Sequence, residues 1–182
     1  ITFQVGEGGA DVALQDFANG RSGMRFNSTA GLSQMLMLSE EQGFELNAAF
    51  MPANDSYGVP TGGANLVMTA GLEQEKKDAA WEFIKWMTAK EQTIYASSYT
   101  GYLPSRLSAV ESDEMKKLYE EKPQFKVAVD QLEYARPRPM EQAYPEIAMV
   151  LADEIARTML EKDLKPQDAL NKAAEEANRL LN

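Results

Sequence analysis

The chain contains no cysteine and no histidine among its 182 residues. Without cysteine it can form no disulfide framework, thiolate nucleophile or iron–sulfur cluster. Without histidine it can form no Ser-His-Asp triad and offers no imidazole base or metal ligand. An enzyme of this composition would depend on Asp, Glu, Lys, Tyr or an oxygen-bound metal. We expect no metal and no other cofactor.

Basic charge and long apolar runs are also scarce. Lys and Arg total 18 against 28 Asp and Glu, so the formal net charge is −10. A nucleic-acid-binding face is normally basic, so no nucleic-acid partner is predicted. No stretch of about 18 apolar residues is present, so no membrane span is predicted. The chain begins at Ile1 and not at Met, which suggests a trimmed or partial chain. Composition alone leaves the compartment open.

Helix and strand patterns alternate in the first part of the chain. The predicted elements are a helix over 11–19, a strand over 24–27, a helix that begins at Ser28-Thr29, a strand over 44–50 and a buried strand over 65–69. A long loop with two prolines and three glycines occupies residues 51–64. Loops of this length in a compact domain are often functional. We therefore predict an α/β part over residues 1–71.

The pattern of residues 72–182 predicts a mainly helical part. Trp81, Ile84 and Met87 recur at helical spacing, which favours core packing for Trp81. Thr88 and Glu91 have the spacing of a capping box that starts the next helix. Gly101 is expected to end that helix. Residues 135–139 (ARPRP) cannot form regular helix and are predicted to be extended.

Two motifs at predicted loop and helix boundaries can contact a ligand. Gly62 and Gly63 end the long loop, where paired glycines allow backbone N–H groups to approach an oxyanion closely. The alternative is a tight turn that only needs positive φ. Ser28 and Thr29 are either a simple helix cap or a hydroxyl-bearing helix start that accepts an anion or a polyol.

Arginine and tyrosine side chains supply three further candidates. Arg136 and Arg138 flank Pro137 and can hold a carboxylate or phosphate through a bidentate fork, unless they form only a solvated basic loop. Tyr102 combines a stacking face with a hydroxyl beside a helix-ending glycine. The acidic runs lack the spacing of a calcium loop, so we interpret them as solvated helix faces.

Four stretches together resemble one protein family. They are FANGRSGMRFNSTA at 17–30, GGANLVM at 62–68, KDAAWEFIKWMT at 77–88 and TGYLPSR at 100–106. In this order they are similar to the C-terminal half of ABC-importer extracellular solute-binding proteins. Within that superfamily the chain looks most like the sn-glycerol-3-phosphate-binding branch, beside the maltose and oligosaccharide binders.

The resemblance implies the C-terminal lobe of a type II periplasmic-binding-protein (venus-flytrap) fold, helix-rich and α/β, over residues 1–182. Such a receptor closes on a solute in the cleft between two lobes and delivers it to the transmembrane subunits of an ABC permease. The implied partners are a sugar, polyol or phosphorylated glycerol, the permease, and the protein's own N-terminal lobe. The implied location is periplasmic or extracellular, and the full-length protein is either free or held by a lipid anchor.

In the glycerol-phosphate branch the resemblance places ligand contacts at Gly63, at Tyr102 and at an arginine that is here Arg136 or Arg138. It also makes Ser28-Thr29 a cleft-facing helix start. Two other classes stay open on the residues alone. A glycoside hydrolase would need Asp55 and Glu141 to face each other across a pocket at about 5–9 Å. A helical interaction domain would expose an apolar surface around Trp86.

Overall fold

The computed structural model describes residues 9–181 and is built mainly from α-helices. The helices are α1 (Gly9–Ala18), α2 (Leu32–Gln42), α3 (Gln74–Met87), α4 (Lys90–Thr100), α5 (Leu107–Val110), α6 (Asp113–Glu121), α7 (Gln124–Gln131), α8 (Tyr144–Leu160) and α9 (Pro166–Leu181). Short 3₁₀ turns occupy Thr29–Gly31 and Leu132–Tyr134. The strands described are β1 (Val59–Pro60) and β2 (Ala135–Arg136), which pair in parallel. The prediction of a helix-rich fold is confirmed.

The described chain divides into two compact units. One combines residues 9–25 with residues 138–181, and the other is Phe26–Pro137. The second unit has its apolar core between α2, α6 and α7, where Leu32, Leu36, Met115, Tyr119 and Phe125 are buried. Leu32 and Leu36 are one helical turn apart, so they fall on the same face of α2. That face fixes α2 in the unit.

The unit with the chain's last two helices is held by a charged contact as well as by apolar packing. Glu154 on α8 is buried, and its carboxylate accepts hydrogen bonds from Lys172 on α9 at 2.7 Å and from Arg157 at 2.8 Å. The hydrogen bond from Lys172, with that from Arg157, lowers the pKa of Glu154 below its ordinary value. Small residues on α9, Ala169 and Ala173, are buried. These contacts join α8 to α9, and the short connection between the two helices favours neighbours that run antiparallel.

Local capping signals in the sequence are mostly confirmed. The Ser28 hydroxyl accepts a hydrogen bond from the Ala30 amide at 3.2 Å, and Gly101 ends α4 with φ of +99°. The prediction of a capping box at Thr88 is wrong. The Thr88 hydroxyl donates to the Ile84 carbonyl at 2.8 Å, so it continues the turn before it, and Ala89 caps α4 without a side-chain hydrogen bond.

The strands predicted over 24–27, 44–50 and 65–69 are not formed by the described residues. A strand requires hydrogen bonds from a neighbour that local sequence does not supply. The prediction that Trp81 packs in a core is also wrong. Its side chain is 51% exposed, and none of the residues of α3 is buried.

Candidate functional site

The start of α2 and the end of α4 meet in the Phe26–Pro137 unit. Gly101 lies so close to the start of α2 that a Cβ there would overlap the Thr29 carbonyl oxygen and approach Leu32 Cβ to 2.6 Å. The Ser33 hydroxyl also donates to the Ser98 carbonyl at 3.4 Å. Only glycine combines this approach with a φ of +99°. Gly101 therefore brings the Ser28-Thr29 stretch and the end of α4 together.

Tyr102 follows directly and has a fixed main chain with a half-exposed ring. The Ser97 hydroxyl donates to the Tyr102 carbonyl at 2.5 Å, and the Tyr102 amide donates to the Thr100 hydroxyl at 3.1 Å. The side chain is 52% exposed. A ring held at its base and open to solvent is suited to contact a ligand, because little main-chain order is lost on binding.

Gly62, Gly63 and Arg136 form a second group in the same unit. Thr61 donates its amide to the Arg136 carbonyl at 3.1 Å, and the two glycines follow it. Neither glycine has a positive φ, so the tight-turn interpretation is wrong. A Cβ on Gly63 would meet nothing within 4 Å. The described chain therefore supplies no steric or conformational reason for glycine at position 63.

An aromatic cluster beside this second group was missed at the level of sequence. The Tyr57 and Tyr134 rings have centroids 5.1 Å apart, and Phe50 meets Tyr57 edge-on at 5.5 Å. Hydrogen bonding to the neighbouring Glu133 carboxylate raises the pKa of the Tyr134 hydroxyl. The only sequence feature that could have indicated this cluster is the position of Tyr57 and Tyr134, which lie just before β1 and β2.

The close approach of Gly101 to Thr29 and the hydrogen bond from Thr61 to Arg136 thus give two groups. Ser28 and Thr29 lie with Tyr102, and Gly62 and Gly63 lie with Arg136. Arg138 falls in the other unit, as does Glu141, and each is exposed. The groups offer hydroxyl and amide donors and one guanidinium, which are suited to a polyol or an anionic oxygen. Within residues 9–181 no group of three or more acidic side chains is placed to hold a metal ion.

Over the same residues, no helix is both long and apolar enough to cross a membrane. The chain matches the family model of bacterial extracellular solute-binding proteins over residues 4–127. It is 26% identical over 184 residues to the sn-glycerol-3-phosphate-binding periplasmic protein UgpB of Escherichia coli K12, and equally identical to UgpB of Shigella flexneri. These alignments cover 96% of this chain but 41% of each relative, so the chain spans less than half their length.

Solved structures give the same result. UgpB from Mycobacterium tuberculosis in complex with glycerophosphocholine matches with a TM-score of 0.79 at 26% identity, over 92% of this chain and 42% of that one. The cyclic α-maltosyl-1,6-maltose binding protein from Arthrobacter globiformis matches with a TM-score of 0.63 at 25% identity, over 82% and 39%. The helix-rich architecture is that of part of a periplasmic binding protein, as predicted. The chain belongs to the bacterial extracellular solute-binding protein family.

Proposed function

We propose that this chain forms the C-terminal lobe of a receptor that captures a small polar solute for an ABC importer. The solute is a glycerol phosphate, a glycerophosphodiester or a short sugar, bound in the cleft that this lobe forms with the N-terminal lobe. The loaded receptor then delivers it to the permease outside the cytoplasm. The receptor performs no catalysis, because each relative described above is named for binding.

One observation carries the proposal. Gly101 packs its backbone against the start of α2, which places a fixed and half-exposed Tyr102 beside the Ser28-Thr29 stretch. Such a group of rigid donors and one aromatic face is typical of a small-ligand site. Family membership and the names of the relatives supply the solute class.

Each predicted residue has a distinct role in this proposal. Ser28 and Thr29 donate hydroxyl hydrogen bonds, and Tyr102 stacks on the solute. The flexible backbone at Gly62 and Gly63 turns its amides toward the solute's oxygens. Arg136 or Arg138 pairs with a phosphate when the solute carries one.

Calorimetry on the full-length protein tests the proposal. Glycerol 3-phosphate, glycerophosphocholine and maltose are titrated separately into the wild type. We expect saturable binding of at least one, and Tyr102→Ala should raise its Kd about 10- to 100-fold because the packing surface of the ring and its hydroxyl are lost. Tyr99→Ala is the matched control, since Tyr99 is an exposed tyrosine of α4 outside the group. Its Kd should stay within about twofold.

The arginine assignment has its own variants. Arg136→Ala and Arg138→Ala are compared with Arg179→Ala, which removes the same charge from α9. Loss of a charge-assisted hydrogen bond should raise the Kd for a phosphorylated solute about 10- to 100-fold in one of the first two. If neither changes, the arginine role is wrong. If no solute binds the wild type, the proposed function itself is wrong.

A further inference from the structure

The long loop over residues 51–64 is held at its first residue by one buried glutamine. Gln131, the last residue of α7, is only 5% exposed. Its side-chain carbonyl accepts a hydrogen bond from the Met51 amide at 3.1 Å, and its side-chain nitrogen donates to the Met51 carbonyl at 3.4 Å. One side chain therefore pairs with both main-chain polar groups of a loop residue, as a residue of a neighbouring strand would.

The same run of chain holds the far end of the loop. Five residues after Gln131, the Arg136 carbonyl accepts a hydrogen bond from the Thr61 amide at 3.1 Å. The glycine pair at positions 62 and 63 follows Thr61 directly. Residues 131–136 thus hold the loop near both of its ends, which restricts the conformations that the loop can adopt.

Aromatic contacts fix the loop between these two ends. Tyr57 lies within the loop, and Tyr134 lies in the run of chain that holds it. Their ring centroids are 5.1 Å apart, and Phe50 meets the two rings edge-on at 5.5 and 6.3 Å. Ring contacts of this kind stabilise a structure beyond the apolar area that they bury. The loop is therefore held at its middle as well as near its ends.

We propose that Gln131 and Tyr57 are positioning residues for solute binding. They act by fixing the loop, and with it the main-chain amides of Gly62 and Gly63. The inference rests on the proposed function, in which those amides face the oxygens of the solute. A loop that is ordered before the solute arrives loses less conformational freedom on binding, so its order raises the affinity.

Calorimetry on the full-length protein tests the role of Gln131, with whichever of glycerol 3-phosphate, glycerophosphocholine and maltose the wild type binds. Gln131→Met removes both hydrogen bonds to Met51 and should raise the Kd about 3- to 10-fold. Gln124→Met is the matched control, because Gln124 lies on the same helix and donates to the Leu46 carbonyl at 2.6 Å, outside the loop. Its Kd should stay within about twofold. Both variants should lower the thermal midpoint by less than about 5 °C, so both are folded during the titration.

A second pair of variants reaches the loop through its aromatic contacts and leaves the buried glutamine intact. Tyr57→Leu removes the ring contacts with Phe50 and Tyr134 and should also raise the Kd about 3- to 10-fold. Tyr95→Leu removes a ring contact of similar separation, 6.0 Å to Tyr99 on α4, and should leave the Kd within about twofold. Equal Kd values for these two variants would contradict the role of Tyr57.

Hydrogen exchange of the Thr61 amide reports on the loop without any solute. This amide should exchange at least about 10-fold faster in Gln131→Met than in the wild type, and within about threefold of the wild type in Gln124→Met. Unchanged exchange in Gln131→Met, or an unchanged Kd, would overturn the positioning role of Gln131. Absence of binding by the wild type would instead overturn the proposed function, and the exchange rates would then decide only whether Gln131 orders the loop.

Discussion

At the scale of single residues, Gly101 shows how a small side chain can position a large one. It combines a left-handed φ with a close approach to the Thr29 carbonyl and the Leu32 side chain. That close approach fixes the position of the adjacent Tyr102. Gly43, which ends α2 with φ of +74°, has open space where its Cβ would lie. Substitutions at these two glycines therefore distinguish the cost of backbone strain alone, at Gly43, from the cost of strain plus steric overlap, at Gly101.

Gly101→Ala should destabilise the protein by about 3 kcal/mol or more, because backbone strain adds to an overlap with main-chain atoms. Gly43→Ala should cost only about 1 kcal/mol, since it introduces strain alone. Urea unfolding of both variants measures the difference. Equal losses would show that the contact with Thr29 and Leu32 contributes nothing.

Tyr119 offers a second prediction at this scale. Its ring belongs to the core, but its hydroxyl is buried and makes no hydrogen bond within residues 9–181. Tyr119→Phe should therefore raise the free energy of unfolding by about 0.5–1 kcal/mol, because an unsatisfied polar group is removed. Tyr119→Leu is the packing control and should lower it by about 1–3 kcal/mol. Destabilisation by Tyr119→Phe would reveal a partner for the hydroxyl.

The pH dependence of Tyr119 follows from the same burial. Burial, with a smaller effect of Asp130, raises the pKa of this hydroxyl above its ordinary value of 10.0. The folded state then holds the proton more tightly than the unfolded state. The titration of this group therefore leaves the free energy of unfolding unchanged below pH 10 and lowers it as the pH rises beyond that value. Wild type should lose stability in that range relative to Tyr119→Phe in alkaline urea titrations.

At the scale of secondary-structure elements, α8 and α9 are joined through one carboxylate. Glu154 on α8 accepts from Lys172 on α9, and this pairing lowers its pKa. A lowered pKa in the folded state gives stability that is present above the unfolded value. That stability is lost as the pH falls below about 4.5 and through the folded value.

Glu154→Gln should therefore be less stable than wild type at pH 7 and flatter in its stability between pH 5 and pH 3. Glu175→Gln is the control, because Glu175 pairs with Arg179 at an exposed position of α9. Thermal unfolding at several pH values measures both. If the stability of Glu154→Gln fell with pH as steeply as that of wild type, the Glu154 carboxylate would not be the cause of the pH dependence.

The elements also show which parts of the fold are predictable from sequence. Ser112 caps α6 by accepting from the Met115 amide at 3.2 Å, as its position before the helix indicates. Such caps depend on residues three or four apart, so local sequence carries the signal. The strand predicted over 44–50 keeps Phe44, Leu46 and Phe50 partly buried but has no partner strand among the described residues. Pairing is non-local, so the sequence of residues 44–50 alone does not carry its signal.

At the scale of the whole molecule, the arrangement of the candidate site residues was predictable only in parts. Tyr102 and Ser28 are candidates that a helix-ending glycine and a helix cap mark locally. Their proximity depends on the close approach of Gly101 to Thr29, which are more than seventy residues apart, and no local pattern predicts that approach. The aromatic cluster of Phe50, Tyr57 and Tyr134 has the same origin, since the pairing of β1 with β2 assembles it.

The parallel pairing of β1 with β2 has a consequence for synthesis. Thr61 is anchored by the Arg136 carbonyl, which lies 75 residues later in the chain. A ribosome adding about 5–20 residues per second therefore leaves the glycine-bearing loop without its anchor for roughly 4–15 s. The loop is among the last features of its unit to acquire a defined position, long after α2 and α4 have left the exit tunnel.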